Sequence, residues 1–198
     1  MARTATKVTA DFFDDIQLDA GILVKASGTG AWDKTAPRTI SDSMIICATT
    51  GGINISCVPT TSDLFEDVDN APNTVKEGLH IDSWACTFST TAVQTDAATI
   101  RLALGFADIA SDTITPRLEW KDADFKSIAW IGDMADGSLA VAMLKNAVST
   151  GGLSLQTSKN GKGNLSITLT GFTTLATQTQ VPMEFYVIAP AQAAQAST

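Results

Sequence analysis

Short stretches in which apolar and polar residues alternate recur along most of the chain, each closed by glycine, proline or a polar cluster. A period of two sends successive side chains to opposite faces, the pattern of a half-buried strand. Residues 43–48 read as one strand and residues 52–58 as its follower. The longest candidate covers residues 79–93. There Leu79 and Ile81 share one face whereas Trp84, Cys86 and Phe88 share the other, so the buried side switches near Ser83, as in a strand that bends or one covered first on one side and then on the other. Residues 117–120 and 125–131 are strand-like and are separated by Asp122-Ala123-Asp124. Residues 139–144 are apolar on both faces, which predicts a central strand. Residues 153–157 and 165–169 flank Asn160-Gly161, a strong hairpin signal. Residues 181–188 close the body, with Met183, Phe185 and Val187 on one face.

One segment breaks this rhythm. From about residue 95 to residue 110, Ile100, Leu104 and Ala107 recur at helical spacing, and Thr95 or Asp96 can cap the first turn. With no strand–helix–strand repetition, the pattern predicts a mainly β fold: an antiparallel sandwich or barrel with one flanking helix. The ordered body is expected over residues 19–188. Residues 1–18 form a polar, acidic N-terminal arm, and residues 189–198 a loose tail rich in Ala and Gln. Inside the body, residues 59–78 are non-periodic and hold two prolines with Asp63, Glu66, Asp67 and Asp69. A loop of that length in a compact domain points to function or to disorder.

The segment Thr49-Thr50-Gly51-Gly52-Ile53-Asn54-Ile55-Ser56 returns as Ser149-Thr150-Gly151-Gly152-Leu153-Ser154-Leu155-Gln156. A double glycine followed by alternation reads as the same device used in each half, a glycine corner leading into a strand. Composition narrows the possibilities further. The chain of 198 residues is 44% hydrophobic and 17% charged, enough for a sizeable core. A net charge of −8 argues against a nucleic-acid-binding surface. No apolar block follows Arg3 and Lys7, so no signal peptide is expected, and the apolar runs are too short to span a bilayer. Cys47, Cys57 and Cys86 form no C-x-x-C pair and read as small buried hydrophobes of a chain folded in a reducing cytoplasm.

Candidate chemistry is sparse. His80 is the one histidine, which rules out most Ser-His-Asp and multi-histidine metal sites; a structural role is expected for it. Gly28-Thr29-Gly30 and Gly161-Lys162-Gly163 lack the rest of a phosphate-binding motif. The acids between Asp63 and Asp69 depart from calcium-loop spacing and read as a solvated loop. The pairs Asp122/Asp124 and Asp133/Asp136 have the residue type of glycosidase carboxylates, but no aromatic platform accompanies them. No catalytic residue, cofactor site or metal site is assigned.

Several segments in order resemble the tail tube (major tail) proteins of long-tailed bacteriophages, the siphophages. They are Asp15-Ile16-Gln17-Leu18-Asp19-Ala20-Gly21; Thr49-Thr50-Gly51-Gly52-Ile53 followed by Pro59 and Glu66-Asp67-Val68-Asp69-Asn70; Ile114-Thr115-Pro116-Arg117 running into Lys121-Asp122-Ala123-Asp124-Phe125; Trp130-Ile131-Gly132-Asp133; Thr150-Gly151-Gly152-Leu153-Ser154-Leu155-Gln156-Thr157; Gly161-Lys162-Gly163; and Val181-Pro182-Met183-Glu184-Phe185-Tyr186-Val187. Each is unspecific alone; together they cover nearly the whole chain.

The resemblance implies a non-enzymatic virion protein with a β sandwich and one helix. Its hexameric rings would stack into a hollow tube, alongside other tail proteins, after assembly in the host cytoplasm. DNA would pass through without specific binding, and no membrane is involved. The resemblance further implies a long loop that reaches between subunits, for which Asp63, Phe65, Glu66, Asp67 and Asp69 are the candidates. Asp122, Asp124, Asp133 and Asp136 are the candidates for an acidic lumen wall, because each interrupts a strand-like segment where a side chain could project. The competing reading from another class is a carbohydrate-binding or adhesin β sandwich.

Overall fold

A bend at Asn146 organises the molecule. In the computed structural model, which describes residues 13–70, 72 and 75–190, strand β7 (Leu139–Ser149) carries Asn146 in the left-handed region with φ 46°. Before the bend, residues 139–144 pair on one side with β6 (Lys126–Met134) and on the other with β10 (Met183–Ile188). Beyond it, Ala147, Val148 and Ser149 pair with β9 (Asn164–Gly171). The register of β6 shifts opposite this point, between Lys126 and Ile128. One strand thus passes from one layer into another, the way sandwich corners are built.

The first layer also contains β1 (Gln17–Lys25), antiparallel to β6. The second layer continues from β9 through β3 (Leu79–Ala92) to β2 (Thr49–Asp63), and the short β8 (Ser154–Gln156) pairs with β9. A separate ribbon joins β4 (Ala107–Ala110) to β5 (Thr113–Pro116). The helix α1 (Ala97–Leu104) packs against β7 and β9. This is the mainly β, antiparallel architecture with one flanking helix that the periodicity predicts.

Leu23, Ile128, Ala142, Leu144 and Met183 from the first layer meet Cys86, Phe88, Ala92, Leu165, Ile167 and Leu169 from the second, forming the main core. The alternate residues of the first layer, Val24, Ala129, Ile131 and Val141, face the other way. They are covered by Trp32, Ile40 and Met44 from the segment that follows β1. Trp32 Nε1 donates to the Pro37 carbonyl at 2.9 Å, which satisfies its polar atom under that cover. Burial on both faces explains why residues 139–144 carry no polar alternation.

Several local expectations need correction. The helix ends at Leu104, not residue 110, because Gly105 adopts φ 75° as its C-cap and the chain turns into β4; Ala107 is a strand residue. Asp96 is the N-cap, accepting from the N–H groups of Ala98 and Thr99. Residues 43–48 make a single bridge to β1 at Ile45 instead of a strand. Residues 117–120 are irregular because Arg117 is drawn toward Asp124, and the strand lies just before them as β5. The two double glycines also differ. Gly51 and Gly52, both at positive φ, form a bulge within β2, whereas Gly151 and Gly152 precede β8 outside any strand.

The non-periodic segment is shorter than expected, since residues 59–63 belong to β2. Pro59 is compatible with a strand there because β2 pairs only with β3, leaving its missing N–H on the open edge. The N-terminal arm is likewise shorter: Gln17 and Leu18 already pair with Met134 and Asp133. Residues 1–12 of that arm and 191–198 of the tail lie outside the described residues.

Candidate assembly surface

The β2–β3 hairpin supplies the most exposed apolar surface on the strands of the second layer. Directly opposed residues of an antiparallel pair share a face. Here Ile55 opposes Phe88, Cys57 opposes Cys86, Pro59 opposes Trp84, Thr61 opposes Ile81 and Asp63 opposes Leu79. Between Thr60 and Thr61 the register shifts, with Asp82 as the extra residue on β3. That bulge keeps Ile81 and Leu79 on the face of Trp84 despite their odd spacing, so the predicted switch near Ser83 is a bulge that restores one continuous face. Along this face exposure climbs from 1% at Phe88 and 0% at Cys86 to 37% at Trp84, 50% at Ile81 and 59% at Leu79. The hairpin therefore leaves the core with its inner face still apolar.

The tip is held by local hydrogen bonds. Asp63 accepts from the Phe65 N–H at 2.9 Å, and the Leu64 N–H donates to the Gly78 carbonyl at 2.8 Å. Ser62 Oγ donates to Asp82 at 3.0 Å, bracing the bulge. Leu64, Phe65 and Val68 are exposed here, beside the acids Glu66, Asp67 and Asp69. All five loop candidates thus sit at the end of one projecting hairpin. His80 is on its exposed flank, 3.8 Å from Asp82, and is not a core residue. A groove of about 580 Å³ runs between residues 81–85 and residues 170–182, with Trp84 and Phe172 in its wall.

The outer edge of β2 has no strand partner among the described residues. Edges of this kind are usually blunted, and here the Gly51-Gly52 bulge and Pro59 do so at two points. Between them residues 53–58 leave a run of backbone donors and acceptors open to another chain.

The four aspartates expected on a lumen wall separate. Asp124 does not project: its side chain is fully buried. Arg117 Nη2 donates to both of its oxygens at 2.7 and 2.8 Å, Arg101 Nη2 donates at 3.2 Å, and the Lys121 N–H donates at 2.8 Å. Burial alone would raise this carboxyl; the Lys121 N–H, the Arg117 hydrogen bonds and the charges of Arg117 and Arg101 outweigh it and hold it below the usual value. Arg117 Nε also faces Asp108 at 3.0 Å, and Lys121 reaches the same carboxylate. Asp124 is thus the centre of an internal ion cluster that ties α1, β4 and the segment before β6 together, and it is withdrawn from the lumen candidates.

Asp122, Asp133 and Asp136 are exposed. Asp136 accepts from the Ser138 N–H and hydroxyl at 2.7 and 2.6 Å, which holds its carboxyl below the usual value and fixes the β6–β7 turn. Asp122 lies in the turn before β6 and Asp133 near its far end, so the two are separated by roughly 23 Å of strand, Lys126 to Asp133, besides the turn. They can share one wall only if β6 runs along it.

No arrangement of a nucleophile with a general base is evident in these clusters, and among the described residues no three His, Cys, Asp or Glu side chains converge on one point. No described helix is long and apolar enough to cross a membrane. The sequence had no means of signalling two features: the Arg101–Asp124–Arg117 cluster, whose members are far apart in the chain, and the contact of Cys57 with Cys86.

No family model matches the sequence, and no curated protein matches it significantly. Solved structures are similar to it, among them two of gene transfer agent particles. One is the tail of an empty gene transfer agent particle, computed with helical refinement in C6 symmetry: 13% identity, 84% of this chain and 96% of that chain covered, TM-score 0.44. The other is the virion of a native gene transfer agent particle: 12% identity, 86% and 99% covered, TM-score 0.44.

Proposed function

We propose that this chain is the structural, non-enzymatic subunit of a phage-type tail tube, in which hexameric rings stack into a hollow conduit for DNA. The observation that carries the reading is the β2–β3 hairpin. Its inner face stays apolar past the point where the core ends, at Trp84, Ile81 and Leu79, and the outer side of residues 53–58 has no strand partner among the described residues. Apolar surface of that kind is stabilised by burial against a partner. A head-to-tail contact between identical copies closes into a ring when its rotation divides the circle. The ordered resemblance of the sequence segments to siphophage tail tube proteins supports the same reading.

In this scheme the hairpin tip, with Asp63, Phe65, Glu66, Asp67 and Asp69, reaches a neighbouring subunit. Asp122, Asp133 and Asp136 contribute carboxylates to the channel wall, where acidic groups keep a polyanion from adhering. The particle assembles in the host cytoplasm and the protein resides in the virion tail. Sedimentation of the purified chain over a wide concentration range tests the reading: ring-sized species must form at the expense of monomer.

A further inference from the structure

At the root of the projecting hairpin, Cys57 Sγ lies 3.0 Å from Cys86 Sγ, closer than the summed van der Waals radii of two sulfurs. The residues are directly opposed on β2 and β3. Opposed residues of an antiparallel pair have Cα atoms about 4.5–5.5 Å apart, within the span a disulfide bridges. Both thiols are free, Cys86 fully buried and Cys57 half-buried. We propose that Cys57 and Cys86 are a modification site, an oxidisable pair that a low-molecular-weight disulfide such as glutathione disulfide converts into a cross-strand disulfide.

The chemistry runs in two exchange steps. Cys57, the less buried of the two residues, attacks the reagent as thiolate, forms a mixed disulfide and releases one glutathione thiolate. Cys86 then attacks the Cys57 sulfur, the mixed S–S bond breaks, and the second glutathione leaves with the proton from Cys86. Two protein thiols are oxidised and one disulfide is reduced to two thiols. In the reduced pair burial, and then the hydrogen bond with Cys57, push the Cys86 thiol up to about 12, so its thiolate is scarce at neutral pH and closure is favoured as pH rises. The bridge joins the last pair on the inner face whose β3 member is fully buried, immediately before Pro59 and Trp84 lead out of the core. It would anchor the hairpin where it leaves the body. A reducing compartment leaves the pair open, and an oxidising one closes it. The inference is independent of the tube assignment.

The test is incubation of the full-length protein with excess glutathione disulfide at mildly alkaline pH, followed by thiol counting in denaturant, intact mass and non-reducing peptide mapping. The count should fall from the three free cysteines to one, the mass should drop by two hydrogens, and one linked peptide should join Cys57 to Cys86, leaving Cys47 free. Cys47→Ala should lose both remaining thiols, whereas Cys57→Ser should lose none. Oxidised protein should show a higher urea midpoint than reduced protein. Three persistent thiols, a lasting glutathione adduct on Cys57, or linkage between separate chains would each overturn the proposal. The mapping of the unsubstituted chain keeps the outcome decisive even if a variant folds poorly.

Discussion

Pro59 and Trp84 oppose each other across the β2–β3 ladder at the point where the inner face passes from core to surface. On one side of that pair lie Cys86 and Phe88, shielded from water; on the other lie Ile81 and Leu79, half exposed or more. The same face therefore serves two purposes, packing within the subunit and contact beyond it.

The first prediction follows from this division. Ile81→Lys combined with Leu79→Lys places charge on the projecting part of the face without touching the core. Surface changes of this kind ordinarily alter stability by about 0.5 kcal/mol or less. The doubly substituted chain is expected to keep the melting temperature of the parent to within a few degrees while losing self-association by light scattering. Unchanged association would remove the hairpin face from the interface.

The Asp124 cluster yields a prediction about folding. Asp124→Ala leaves Arg117 and Arg101 facing each other in a largely buried site, and breaking a buried pair in this way costs about 3–5 kcal/mol. Urea unfolding should show a loss near the lower end, since Arg101 keeps some access to solvent. A loss under about 1 kcal/mol would mean that the cluster is not structural.

The same residue sets a pH dependence. Its folded value lies below the ordinary carboxylate value of about 4. Its contribution is therefore complete above the unfolded value and is lost as pH falls through the folded one. Stability of the parent should decline as pH is lowered from about 5 toward 2. Asp124→Asn should be less stable at neutral pH and show a shallower decline. Parallel profiles for the two proteins would assign the acid sensitivity to other carboxylates, such as Asp96 and Glu184, which are also held low.

The glycine that ends α1 gives a local test. Gly105 sits at φ 75°, and a Cβ there would lie 2.4 Å from the Ser149 carbonyl oxygen. Gly105→Ala adds both backbone strain and a backbone clash, so a loss of more than about 1 kcal/mol is expected in thermal unfolding. A neutral result would show that the helix end shifts freely against β7.

How much of this was legible beforehand depends on the range of the interaction. Periodicity revealed β3, β6, β9 and β10 because alternation is local, and Asp96 with its following apolar spacing revealed the helix start. The helix end was overrun because Ala107 fits helical spacing as well as it fits β4, and the decisive fact is the Gly105 conformation against Ser149. Asp124 read as a projecting acid because its partners Arg101 and Arg117 lie 23 and 7 residues away and meet it only in the fold. The switch near Ser83 was visible, but its meaning was not, since only pairing to Thr60 and Thr61 identifies a bulge.

The conduit reading makes an electrostatic prediction for the exposed acids. Asp122→Lys with Asp133→Lys would place cations where carboxylates stand, and each new phosphate contact adds salt-dependent affinity for DNA. The parent protein is expected to show no DNA binding at moderate salt. The variant should assemble normally but slow genome ejection from particles that carry it. Normal ejection rates with the variant incorporated would place these residues away from the channel.

The measurement that bears most directly on the account is electron microscopy of the concentrated protein, and of particles that contain it. The tail tube reading predicts rings of six subunits with a central hole, stacking into tubes as concentration rises. A chain that remains monomeric at every concentration, and that forms no part of a tube in purified particles, would contradict it.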